Sequence, residues 1–168
     1  KKIDIRAVNV PLNKPIIAHL GTFENWPYLC IDVHTNSDFI GRSYIGPYLV
    51  NQLGSISKCI EALSHFFLDK RIKPFEFFKE GFNKTALLGY QGIGLYALAA
   101  LDIAFWDVYA KAAKLPLAVL LGSDLKALDT YNSRGLWLIP LNKLDEEIHD
   151  LLDNGSFNAL KVRIGRDK

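Results

Sequence analysis

Apolar and polar positions alternate near the start of the chain and again at its end, and between them they repeat at helical spacing. Ile3 and Ile5, then Val8 and Val10, predict a strand from 3 to 10 that stops at Pro11. Leu12 to Trp26 predicts a loop of unusual composition, holding Ile16, Ile17, Leu20, Phe23 and Trp26. Apolar residues in a loop must cover something, so these either cap the protein's own core or close over a ligand. Tyr28 to Thr35 predicts a second strand with Leu29, Ile31 and Val33 on one face. After the turn residues Asn36-Ser37-Asp38, Phe39 to Tyr44 predicts a third, giving a small antiparallel meander.

Helical spacing follows. Ile56, Ile60, Leu63 and Phe67 predict one helix with Ser55 as its N-cap, and Pro74 opens the next, faced by Phe75, Phe78 and Phe82. A longer helix from about Leu95 to Ala113 is apolar on most sides and therefore central, and Pro116 to Gly122 predicts a short one. The pattern changes after Gly122. Leu128 to Tyr131 predicts a short strand, and Asn142 to Asp153 a helix ended by Gly155, with Leu144, Ile148 and Leu151 inward. Asp145, Glu146 and Glu147 in its first turn suit the helix dipole and are expected to be solvated.

Phe157 to Gly165 predicts the next strand, with Leu160, Val162 and Ile164 on one face and Lys161 and Arg163 on the other. Parallel strands are normally buried on both faces, so two inward cations would need anionic partners. On an edge strand both would stand in water. Strand, helix, strand is the opening of an α/β sheet or barrel. Two strands cannot close a barrel, so the chain is expected to end mid-fold, with residues 1–124 one domain and 125–168 the start of another.

Composition narrows the function classes. With 20 basic and 18 acidic residues, net +2, no basic stripe points to nucleic acid. The run Leu95 to Trp106 is interrupted by Asp102 and too short to span a membrane, and no apolar signal core follows Lys1-Lys2, so a cytoplasmic protein is expected. Cys30 and Cys59 lie in apolar segments and predict two buried free thiols. Gly89, Gly92 and Gly94 follow helix rather than strand and lack nucleotide-loop spacing. Asp102 and Asp107 are five apart and share no face, which predicts structural hydrogen bonds rather than acid–base work. The four histidines show no ligand spacing, and only His19, in the apolar loop, falls near a candidate site.

Several strings then carry a resemblance. Arg6 to Leu12, Gly21-Thr22, Gly41-x-Ser43-Tyr44, Gly89-Tyr90-x-Gly92, Asp102-x-Ala104-x-Trp106-Asp107, Lys114-x-Pro116-Leu117 to Gly122, Tyr131-x-Ser133 and Lys161-x-Arg163-Ile164-Gly165 occur in this order. The sequence resembles the mandelate racemase-like subgroup of the enolase superfamily, in its N-terminal portion. The resemblance implies an α+β capping domain, a three-stranded antiparallel meander plus helices, followed by the first strands of a modified (β/α) TIM-type barrel. It implies magnesium-assisted abstraction of the proton α to a carboxylate, with Mg2+ ligands expected beyond residue 168 and none in this chain.

By position, Lys161 matches the family's first catalytic lysine, beside the substrate carboxylate. Arg163 matches the second, which acts as the base in mandelate racemase. Arginine is a poor proton acceptor. That departure turns the expectation from two-base racemisation toward an acid-sugar dehydratase, with Arg163 as an electrostatic or binding group. Ser133 matches a substrate-contacting serine, Tyr48 a tyrosine of one cap loop, and Ile16 and Phe23 apolar residues of the other. Gly46 falls where mandelate racemase has a phenylalanine, which removes an aromatic wall. The resemblance implies a small carboxylate substrate and a homo-oligomer, without nucleic acid or membrane. The alternatives are a mandelate racemase-type racemase or epimerase of 2-hydroxy acids, and a truncated, non-catalytic binding or dimerisation module. Without metal ligands the chain alone is expected to be inactive.

Overall fold

The computed structural model describes residues 1–89, 91–153 and 157–165. Tyr90 of the glycine-flanked string and Gly155, the expected helix stop, lie outside the described residues. The described chain divides into two compact units, residues 1–10 with 26–125, and residues 11–25 with 126–168.

In the first unit a three-stranded antiparallel sheet packs on helices. Its strands are β1 (Lys2–Ala18), β2 (Gly21–His34) and β3 (Ile40–Ile45), in that order across the sheet. The expected loop from Leu12 to Trp26 is therefore mostly strand. β1 and β2 continue past Pro11 to a two-residue turn at His19-Leu20, which is followed by Gly21 at φ 136°. Proline lacks only its own N–H, so a single proline does not end a strand whose other groups still pair.

Leu29, Ile31 and Val33 form the buried face of β2, as their alternation predicts. Asp32 points to the other face and is also buried, held by Arg6 at 2.9 Å and Arg42 at 3.5 Å. β3 pairs antiparallel with β2, placing Arg42 opposite Asp32.

The helices are α1 (Leu53–Ser64), α2 (Pro74–Lys84), α3 (Ile93–Ala113) and α4 (Leu117–Leu120). α1 begins two residues before the expected Ser55 cap, with Gln52 as N-cap, because a 3-10 turn over Val50–Gln52 already leads into it. On α2 the buried positions are Pro74, Phe77 and Gly81; of the expected face, Phe75 and Phe78 are exposed and Phe82 is half-buried against the core. Phe77 stands edge-on to both Phe67 and Phe105 with centroids 4.5 Å away, while Phe75 is exposed against Trp106.

α3 is the central helix, with Ala97, Leu98, Leu101, Ala104 and Phe105 buried. Its 21 residues make it long and apolar enough to cross a membrane, which the shorter run read from the sequence did not anticipate. Packing against β3, α1 and α2 accounts for that apolarity.

β3 approaches α3 closely. A Cβ at Gly41 would collide with the Ala104 carbonyl and Val108. Ser43 Oγ donates to the Ala100 carbonyl at 2.6 Å, and Asp107 accepts the Arg42 N–H at 2.7 Å and pairs with Lys111. The strings Gly41-x-Ser43 and Ala104 to Asp107 thus form one strand–helix contact. Asp107 has the structural role expected of it, whereas Asp102 Oδ1 is buried without a hydrogen-bond partner. Cys30 and Cys59 are free and half-buried rather than buried, and burial pushes the Cys59 thiol pKa up.

The second unit holds the hairpin end of β1 and β2, and α5 (Leu144–Asp153), entered through a 3-10 turn at Leu141–Lys143. Neither strand expected around α5 is formed. Pairing is confined to one parallel bridge between Asn132 and Leu160, flanked by Asn132 N–H to Ala159 O at 2.8 Å and Lys161 N–H to Asn132 O at 2.9 Å. The sense is that of a βαβ unit. Two parallel segments with no further strand beside them among the described residues have too few ladder bonds to extend the pairing.

Candidate functional site

The bridge decides which way the candidate side chains face. Paired residues of a parallel bridge share a face, and their neighbours take the opposite one. Asn132 is buried, and its Nδ2 donates to the Leu151 carbonyl on α5 at 3.4 Å, so the Asn132–Leu160 face is the helix side. Strand alternation about that bridge assigns Ser133 and Lys161 to the side away from α5. Lys161 is exposed, with Nζ 6.0 Å from the centre of the Tyr131 ring on that same side. Arg163 is half-buried; its N–H donates to the Leu136 carbonyl at 3.0 Å and its guanidinium stands 4.8 Å from the centre of the Trp137 ring.

The loop after Asn132 is tightly built. Asn132 Oδ1 accepts the Arg134 N–H at 3.0 Å, an Asx turn. Leu136 is fully buried at φ 54°. Glu147, expected to be solvated, is only 13% exposed; it accepts the Leu136 N–H at 3.0 Å and pairs with Lys14 at 3.4 Å. The acidic first turn of α5 conceals that difference in sequence, because Asp145 and Glu146 beside it are exposed. Asn132 is likewise inconspicuous in the sequence. Its place between Tyr131 and Ser133 is the only signal that could have singled it out.

Ile16 and Phe23 are half-buried in the hairpin end, and His19 is exposed in its turn. A cavity of about 1000 Å³ in the second unit is lined by Lys14, Ile16, Asn132, Arg134 and Trp137 among others, but not by Ser133, Lys161 or Arg163. Tyr48 belongs to the first unit, where it is exposed at φ 66° and meets Trp26 edge-on at 5.2 Å. A Cβ at Gly46 would stand 3.1 Å from Trp26 Nε1. Trp26 thus stands directly against Gly46. Among the described residues no group of three or more His, Cys, Asp or Glu is placed to hold a metal ion, so these residues do not themselves fit a magnesium site.

Residues 2–122 match the mandelate racemase / muconate lactonizing enzyme N-terminal domain. The chain belongs to the mandelate racemase/muconate lactonizing enzyme family. Its antiparallel sheet with helices is that family's capping domain. An enolase from an alpha proteobacterium, bal199, with bound magnesium superimposes with TM-score 0.94 and 31% identity, over 100% of this chain and 47% of its own. An enolase from Bradyrhizobium complexed with magnesium and mandelic acid gives 0.87 and 28%, over 99% and 45%. L-talarate/galactarate dehydratase of Salmonella typhimurium is 35% identical over 82 residues, 48% of this chain and 20% of the dehydratase. The chain thus spans less than half the length of these relatives. Family members include dehydratases, racemases and epimerases.

Proposed function

We propose that this chain supplies the cap, over residues 1–124, and the opening of the barrel, over 125–168, of a magnesium-dependent enzyme that removes the proton α to a carboxylate, as an acid-sugar dehydratase. The observation that carries this reading is the parallel bridge with α5 on the Asn132 side. In a (β/α) barrel the helices lie outside, so that arrangement is the one that would turn Ser133 and Lys161 inward. Lys161 then stands beside the substrate carboxylate, where its charge stabilises the negative charge that develops as the proton leaves. Ser133 contacts the substrate from the neighbouring strand end, and Tyr48, Ile16 and Phe23 of the cap bound it.

Arg163 cannot serve as the second base of a racemase, because a guanidinium does not release its proton in the working range. It acts as a fixed cation, stacked on Trp137, that binds the anionic substrate. The base and the magnesium ligands are expected on segments beyond Lys168, so the chain alone is inactive, and the whole protein is a homo-oligomer in the cytoplasm. A mandelate-type racemase is the second reading, favoured by the Trp26–Tyr48 pair beside Gly46.

The test is proton NMR of the whole protein in deuterated water with magnesium and a panel of aldarates, aldonates and mandelate. Loss of the α-proton signal with appearance of a 2-keto-3-deoxy product supports dehydration. Exchange on mandelate with inversion, and none on acid sugars, selects the racemase. No exchange on any of them overturns both.

A further inference from the structure

Four connections in the second unit converge on the loop between Asn132 and Leu138. Leu136 adopts a left-handed backbone, φ 54°, that few side chains other than glycine take. Both its backbone groups are engaged at 3.0 Å, the N–H by Glu147 Oε2 and the carbonyl by the Arg163 N–H. Trp137, the next residue, presents its ring to the Arg163 guanidinium. Leu138 N–H donates to the Ile17 carbonyl at 3.1 Å, on the part of β1 that also carries Ile16. Glu147 closes the circuit with its other oxygen, which pairs with Lys14 on that same part of β1.

A carboxylate that served only its own helix would sit on that helix's free N–H groups. Glu147 instead places its two oxygens on Leu136 and Lys14, both outside α5. The loop is pressed onto it, since a Cβ at Gly135 would stand 3.0 Å from Glu147 Oε1. We infer that Glu147 is a positioning residue: by holding Leu136 left-handed it sets the Trp137 face against the Arg163 guanidinium and ties the Lys14–Ile17 segment to the same loop. The functional value of this rests on the binding role proposed for Arg163. The test reads geometry rather than turnover, so the two can fail separately.

The experiment is NMR on the nitrogen-15-labelled full chain, following the Arg163 Nε–Hε resonance, which the Trp137 ring current displaces, and amide exchange at Leu136 and Leu138. Trp137→Leu should abolish the displacement and leave the Leu136 amide protected. In Glu147→Ala, Leu136 exchange should accelerate roughly ten- to a hundred-fold, the effect of losing one hydrogen bond to a charged acceptor. The Arg163 resonance should move to its exposed position, and Leu138 should lose protection. Glu147→Gln, which keeps an acceptor at the same reach, should restore Leu136 and Arg163. Should Glu147→Ala fail to fold, Glu147→Asp, one methylene short of the Leu136 N–H, carries the decision. A folded Glu147→Ala or Glu147→Asp chain with Arg163 unmoved overturns the inference, as does a Trp137→Leu chain with Arg163 unmoved.

Discussion

At Asp102 the carboxyl lies half-buried on α3, with Oδ1 lacking any hydrogen-bond partner. Burial holds its pKa above the ordinary carboxylate value. The folded state therefore keeps this proton to higher pH than the unfolded chain does. Its contribution to stability is fullest below the unfolded pKa, declines as pH rises through the folded one, and stays unfavourable at neutral pH. Asp102→Asn should consequently be modestly more stable than the parent at neutral pH, with the two converging in acid; urea denaturation across that range measures it. A constant difference at all pH values would exclude the titration as its cause. The sequence placed Asp102 and Asp107 alike, as structural carboxylates. Their partners separate them: β3 brings the Arg42 N–H to Asp107, which also pairs with Lys111 one turn along α3.

At the scale of elements, α2 shows where periodicity alone misleads. Phe75, Phe78 and Phe82 and the set Phe77, Gly81 both fit a helical stripe, and a glycine contributes no apolar signal to the second. The structure selects the second because Gly81 admits Leu98 of α3, whose Cδ1 would collide with a Cβ there. Phe77→Ala should cost about 3–5 kcal/mol, the range for deleting a buried ring. Phe75→Ala should lose no more than about 1.5 kcal/mol, the value of the single edge-on pair it makes with Trp106. Denaturant midpoints of the two variants compare them directly, and equal losses would place the buried face wrongly. The sequence pattern makes β1 and β2 shorter than they are for a related reason. Pro11 and the apolar residues after it conceal backbone pairing that side-chain alternation does not report.

At the scale of the whole molecule, the proposed reaction makes one prediction for Lys161. Lys161→Met in the whole protein should lower kcat roughly a hundred- to a thousand-fold, as removal of one preorganised charge-stabilising donor does. Melting temperatures of parent and variant, measured alongside, separate lost chemistry from lost fold. A loss confined to KM would instead make Lys161 a ground-state binding group. The sequence by itself determined the family, the buried face of β2, the central place of α3 and the helix α5, because each is written in local periodicity or in a spaced string. Tertiary structure alone decided the length of the hairpin, the face of α2, the reduction of the parallel pair to one bridge, and the capture of Glu147 by Leu136 and Lys14. These depend on which distant backbone groups find partners, and residue spacing carries no record of that.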